Sequence, residues 1–226
     1  MRKKRKISVI IPLYNHAKFI EEAIVSVLKQ TIDIDEIIVV DDGSTDNSIE
    51  VVRKYTNIIL ITKKHSGVIE SVNMGLNMAS GDYISFLDAD DKWLANKTEL
   101  QLTLLEKNPD VDMVYGNCMR FKTEETPYGF KDTEIDIMPG VCRGGGLFRK
   151  KAFDEIKLYN NDNSVHCFID WFARAKEANM KSLIHPEIVF YRRIHDSNQG
   201  IREKDFQRQQ YFNTLKAKID RLRTNK

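Results

Sequence analysis

Apolar residues near the start of the chain are nearly continuous. Ile7-Ser8-Val9-Ile10-Ile11-Pro12 fits a strand buried on both faces. From Ala17 to Lys29 the rhythm changes. Ile20, Ala23, Ile24, Val27 and Leu28 recur on one face of a helix. A second β-rich run covers Glu36 to Asp41, and Asp46 is placed to cap a helix reaching Tyr55. Ile58–Thr62 gives a third strand, and Ser66–Ala79 a helix stopped by Ser80-Gly81. Tyr83–Asp88 gives a fourth strand. Lys97–Lys107 gives a helix closed by Asn108-Pro109, and Asp112–Tyr115 a fifth strand. This alternation predicts an α/β fold with a mostly parallel sheet and helices on both faces. Ligands of such sheets bind at the carboxyl ends of the strands, so the strand-ending residues matter most.

The pattern loosens after Asn117. Phe121–Met138 is polar and weakly periodic, and reads as an excursion with short strands. Ile169–Ala178 predicts a short helix and Ile188–Arg193 a strand. From Glu203 onward Tyr211, Phe212, Leu215, Ile219 and Leu222 keep helical spacing. The expected organisation is a basic tail (1–6), a first lobe (7–117), a smaller mixed lobe (118–202) and an amphipathic helix (203–226), all within one unit.

Composition narrows the function. A net charge of +2 gives no general electrostatic case for nucleic-acid binding. Cys118, Cys142 and Cys167 show no CxxC pairing, which argues against a zinc site or a disulfide framework and fits a reducing cytoplasm. The run from Ile7 is too short for a signal-peptide core or a membrane span. A soluble protein is expected. Packing on the body is the first reading of the basic C-terminal stripe. Peripheral contact with an anionic membrane is the second.

Two acidic clusters end predicted strands. In Asp41-Asp42-Gly43 a carboxylate could accept from a nucleobase edge or a ribose hydroxyl, or the segment could be turn chemistry alone. Asp88-Ala89-Asp90-Asp91 follows an apolar strand. In an extended chain residues two apart share a side, so Asp88 and Asp90 can converge on a cation, with Ala89 leaving room. An Asp-rich turn in isolation is more often a capping loop, but its place after an apolar strand of a parallel sheet favours the metal site.

The segments Ile7–Asn15, Ile38–Asp46, Gly67/Asn73/Gly75 and Ala79–Asp91 resemble, in order and spacing, the family 2 glycosyltransferases of the GT-A fold. That resemblance implies a nucleotide-diphosphate-sugar donor, usually a UDP-sugar, Mn²⁺ or Mg²⁺, and transfer with inversion to a glycan, lipid-linked or protein acceptor. It implies donor contacts from Pro12, Tyr14, Asn15, Asp41, Asp42, Asn73, Asp88, Ala89 and Asp90. It further implies metal ligation by Asp88 and Asp90, joined by His195 in a late Arg-x-His element. Gly145 and Gly146 resemble the segment beneath the acceptor, or serve only a bend. Asp170 corresponds to the last acid of an acidic motif and is the candidate base. Its other reading is a partner for Arg174 one turn on. Trp171 could stack on an acceptor sugar, although a core Trp is the commoner case.

Two departures stand out. The family's Arg near the diphosphate is Val72 here, so Lys63, Lys64 or His65 could supply that charge, or the metal could suffice. Cys167-Phe168 stands where an acidic pair is expected. The second keeps open a donor-binding protein with impaired catalysis. A sugar nucleotidyltransferase would carry a Gly-rich basic loop where Leu13-Tyr14-Asn15-His16 stands. A dinucleotide-binding dehydrogenase would carry G-x-G-x-x-G.

Overall fold

The computed structural model describes residues 5–122, 137–159 and 167–195. The helix expected from residue 203 and most of the 121–138 excursion lie outside them. The order is β1 (Ile7–Leu13), α1 (Ile20–Leu28), β2 (Glu36–Asp41), α2 (Ser48–Val52), β3 (Ile58–Thr62), α3 (Val68–Met78), β4 (Tyr83–Phe86), β5 (Lys92–Trp93), α4 (Lys97–Lys107), β6 (Met113–Lys122), β7 (Ile137–Pro139), β8 (Gly146–Arg149), α5 (Lys150–Ile156), α6 (Cys167–Glu177) and β9 (Ser182–Ile194).

One sheet runs β3-β2-β1-β4-β8-β6-β9-β5, with β7 paired to β6. Strands β1 to β4 pair in parallel. Next to β4 comes antiparallel β8, and then β6 antiparallel to β8. Strand β9 lies parallel to β6, and short β5 pairs antiparallel with β9. The expected lobe boundary at Asn117 falls inside β6, at a register shift against β9. The sheet continues through it.

Alternation along β1 feeds two cores. Val9, Ile11 and Leu13 pack with Ile20, Ala23, Ile24 and Val27 of α1. Ile10 joins Ile38, Val40 and the α3 residues Ile69, Val72 and Leu76 on the opposite face. Because β1 is covered on both faces, all seven of its residues are buried. Its one hydroxyl is satisfied: Ser8 Oγ donates to Glu36 Oε2 (2.5 Å) and accepts from Gly81 N–H (2.9 Å).

Three differences from the sequence pattern bear on the site. First, β4 stops at Phe86. Leu87 N–H still bonds Ile10 O, and then Asp91 N–H closes a turn on Asp88 O (3.0 Å). The two-residue strand period therefore does not orient Asp88 and Asp90. Second, β5 and α5 were not predicted, and β6 and β9 run longer than expected. Third, Asp46 accepts from Ser48 N–H at the start of α2, but also from Ala17 N–H. It ties two loops together as well as a helix end. Among the described residues no helix is long and apolar enough to cross a membrane.

Candidate active site

Strands β2 and β3 lie on one side of β1, while β4 lies on the other. The chain reverses its winding there, and the carboxyl ends of β1 and β4 flank the resulting crevice. Tyr14 and Asn15 follow β1. Asp41 ends β2, and Asp88 and Asp90 follow β4.

The loops after β1 and β2 are braced to each other. Asn15 takes a positive φ of 53°, which Asn tolerates better than most residues. Its N–H donates to Ser44 Oγ (2.9 Å), and its side-chain oxygen accepts from Thr45 N–H (2.8 Å). His16 N–H donates to Ser48 Oγ (3.0 Å). Asn15 thus positions the loops. Gly43 has φ 77°, and a Cβ there would stand 2.9 Å from His65 N. Only glycine suits that turn.

Asp41 is fully buried. Its Oδ2 accepts from Gly43 and Ser44 N–H, while Oδ1 is buried with no partner among the described residues. Asp42 accepts from Lys63 Nζ, Ser66 N–H (2.9 Å) and Gly67 N–H (2.8 Å), with His65 Nδ1 at 2.9 Å. Burial works to raise its pKa, but Lys63 and the two backbone donors outweigh burial and hold it below the usual carboxylate range. Lys63 is therefore committed to Asp42. His65 stacks on the half-open Tyr14 ring, with centroids 4.2 Å apart.

On the β4 side the carboxylates take different partners. Asp88, 43% exposed at its side chain, is gripped by Arg143 Nη2. Asp90 Oδ2 stands 2.9 Å from Nε2 of fully buried His195. Burial would raise the Asp90 pKa. The His195 contact and the nearby His16 outweigh burial and lower it. Burial pushes the His16 imidazole below its ordinary value, against the pull of Asp90. Asp91, buried beside Asp90 and Asp88, is raised well above the carboxylate range and accepts from Arg193 N–H (2.9 Å). Arg193 donates to Asp90 O (2.8 Å) and Glu22 Oε2 (3.0 Å). It fastens the acidic turn to α1 and is not free for phosphate.

Several expected roles are corrected. Pro12 is buried inside β1 opposite Val40 and offers little surface to a base. Ala89 is buried in the core. The Asn73 amide is closed onto the Tyr159 backbone, donating to its O (2.9 Å) and accepting from its N–H (3.1 Å). It pins the segment after α5 and does not reach for a donor. Trp171 is fully buried, stacked on Phe153 (4.7 Å), with Nε1 donating to Lys157 O. It cannot stack on a sugar. Gly145 and Gly146 are buried as well. A Cβ on Gly145 would lie 2.0 Å from Gly140 O, so this glycine permits backbone packing. The carbonyl of Gly146 accepts from Ser85 Oγ (2.6 Å) and buried Lys97 Nζ (3.2 Å). Asp170, buried on α6, binds Arg174 (3.0 Å), which also donates to Ile156 O and Leu158 O. The ion pair is the arrangement observed, and it holds one oxygen, Oδ2, of the candidate base.

Sequence reasoning missed Arg143 and His16. A guanidinium just before Gly144-Gly145-Gly146 was a visible signal. Its partner lies 55 positions away, and no local spacing links the two.

The chain matches the model of "Glycosyl transferase family 2" over residues 8–181. It belongs to that family. An uncharacterized glycosyltransferase of Rickettsia bellii is 43% identical over 106 residues, 46% of this chain and 15% of the relative. The Escherichia coli UDP-Glc:alpha-D-GlcNAc-diphosphoundecaprenol beta-1,3-glucosyltransferase WfgD is 41% identical over 114 residues, 49% of this chain and 45% of that protein. The chain thus spans less than half the length of either curated relative. A similar fold is seen in S. aureus TarS 1-349 in complex with UDP-GlcNAc. That structure aligns with a TM-score of 0.68 at 21% identity, covering 85% of this chain and 60% of that one.

Proposed function

We propose that this family 2 chain transfers a sugar from a nucleotide-diphosphate donor, a UDP-sugar, to an acceptor hydroxyl with inversion. One observation carries the reading. The crevice at the reversal of strand order has Asp41 on its β2 side and Asp88, Asp90 and His195 on its β4 side, and Asp41 Oδ1, buried with no partner among the described residues, would take a donor once the loops over it open. A nucleoside supplies such a donor from its base edge or ribose. The loop braces at Asn15 and Asp46 hold Asp41 ready, and Tyr14 on His65 gives the base an aromatic flank. The UDP-sugar and UDP named for two relatives fit the same site chemistry.

The residues also fit a divalent cation. Asp90 Oδ2 and His195 Nε2 face each other across 2.9 Å, and if Asp88 joined them the three would make an oxygen-and-imidazole set of the kind that suits Mn²⁺ or Mg²⁺. Among the described residues no ready-made ligand cluster exists, so Asp88 would have to turn from Arg143 to join. When bound, such an ion offsets charge on a leaving diphosphate. Inverting transfer further needs one base to take the acceptor proton as its oxygen attacks the anomeric carbon. Asp170 would serve either with Arg174 still held at Oδ2 or after releasing it. The closed ion pair supports a second reading, donor binding with impaired transfer.

A thermal-shift screen with UDP and UDP-sugars, with and without Mn²⁺, tests the proposal. Ligands selective for the folded state must raise Tm. Asp90→Ala should erase the metal-dependent part. Absence of a shift with every nucleotide diphosphate would reject the donor site.

A further inference from the structure

Arg143 is a basic side chain that touches an acid of the crevice after β4, as His195 also does at Asp90, and no feature of the strand pattern announces it. It lies in the turn between β7 and β8. Three backbone bonds shape that turn: Cys142 N–H to Gly140 O, Gly145 N–H to Cys142 O, and Gly146 N–H to Arg143 O. Close backbone packing of Gly145 on Gly140 leaves the turn little freedom. Below it, Lys97 and Gln101 hold the carbonyls of Gly146 and Gly145. The guanidinium is thus delivered to Asp88 by a rigid platform.

Its electrical situation is unusual. The side chain is 13% exposed, and its Nε–H is buried with no acceptor among the described residues. Asp88 is its described anionic partner, and Asp88 is the exposed half of the pair. A buried cation with one half-open carboxylate and an unused donor has capacity for a second anion. Two other basic groups near the crevice are committed: Lys63 to Asp42, and Arg193 to Glu22 and the Asp90 carbonyl. Val72 is fully buried in the α3 core and carries no charge.

We propose that Arg143 is the diphosphate-binding cation of this chain, gripping Asp88 in the empty crevice and the donor's diphosphate in the filled one. Guanidinium and phosphate pair through two parallel N–H···O bonds, which suits a donor set that Asp88 now uses only through Nη2. This rests on the donor-site reading above, and the test separates the two.

Titration calorimetry of the full chain with uridine, UDP and a UDP-sugar, with Mn²⁺ present, compares wild type with Arg143→Gln and Arg143→Lys. Loss of one charge-assisted phosphate contact should weaken UDP and UDP-sugar by roughly 10- to 100-fold in the Gln variant. Uridine affinity should stay within about twofold, and Lys should recover part of the loss. The wild-type preference for UDP over uridine should fall more steeply with added salt than that of the Gln variant. UDP affinity equal to wild type in Arg143→Gln would overturn the proposal. So would parallel loss of uridine and UDP in both variants, which would mark Arg143 as a structural residue. Failure of wild type to bind any nucleotide would instead remove the donor site itself.

Discussion

Replacing Gly145 by alanine adds one methyl group where none fits. Its Cβ would stand 2.0 Å from Gly140 O and 2.9 Å from Gly140 C, with the Phe190 ring at 3.1 Å. Ordinary contact begins near 3.4 Å, so the carbonyl must retreat by more than an ångström. Both clashing Gly140 atoms are backbone, and no flexible side-chain end can swing aside. Overpacking of this kind costs about 1–3 kcal/mol, and a backbone obstacle puts the cost in the upper half of that range. For a domain of this size the expected fall in Tm is roughly 4–10 °C. Gly144→Ala is the internal control. Its Cβ meets Phe190 at 3.8 Å and Phe86 O at 4.0 Å, ordinary distances, so stability should hold within about 0.5 kcal/mol. Thermal and urea unfolding of the two variants measure the contrast. If Gly145→Ala unfolds like wild type and instead weakens acceptor use, the glycine serves the acceptor and the packing argument fails.

Asp170→Asn should keep UDP affinity. If Asp170 is the base, sugar transfer to any working acceptor falls by orders of magnitude; retained transfer removes it from that role. Trp171→Phe should lose the Nε1 bond to Lys157 O and some aromatic contact, lowering stability by about 1–3 kcal/mol with acceptor KM unchanged; a raised KM at unchanged stability would contradict the buried placement. Asp42 has a depressed folded-state pKa, so it stabilises the fold above its unfolded pKa of about 4, and that contribution is lost as pH falls through the lower folded value. Asp42→Asn should therefore flatten the acid limb of a Tm-versus-pH curve below pH about 4, and an unaltered limb would refute the assignment.

Much of the donor half was legible because its information is local. Fully apolar strands, the helical stripe of α1 and the turn at Gly43 each lie within a dozen residues. Strand β2 and helix α4 were located to the residue. The later half depends on distant partners. Strand β5 is two residues long and exists because Lys92 and Trp93 meet Tyr191 and Phe190. Asn73 looked like a ligand residue, but its amide is used by Tyr159, 86 positions away. Asp88 and Asp90 were placed at the correct end of the correct strand. Their orientation followed a turn and two distant partners, Arg143 and His195, and no residue spacing encodes that.

Strand β8 lies between β4 and β6, although the chain makes β6 first. During synthesis β4 therefore keeps an open edge until Gly146–Arg149 have emerged, and β6 has no place beside it. The N-terminal strands can assemble early, but they carry a sticky border through that interval, which invites pairing with other chains. A fragment ending after α4 should accordingly be aggregation-prone, and folding should be completed by threading one short antiparallel strand into a gap, a step of high sequence separation and low speed.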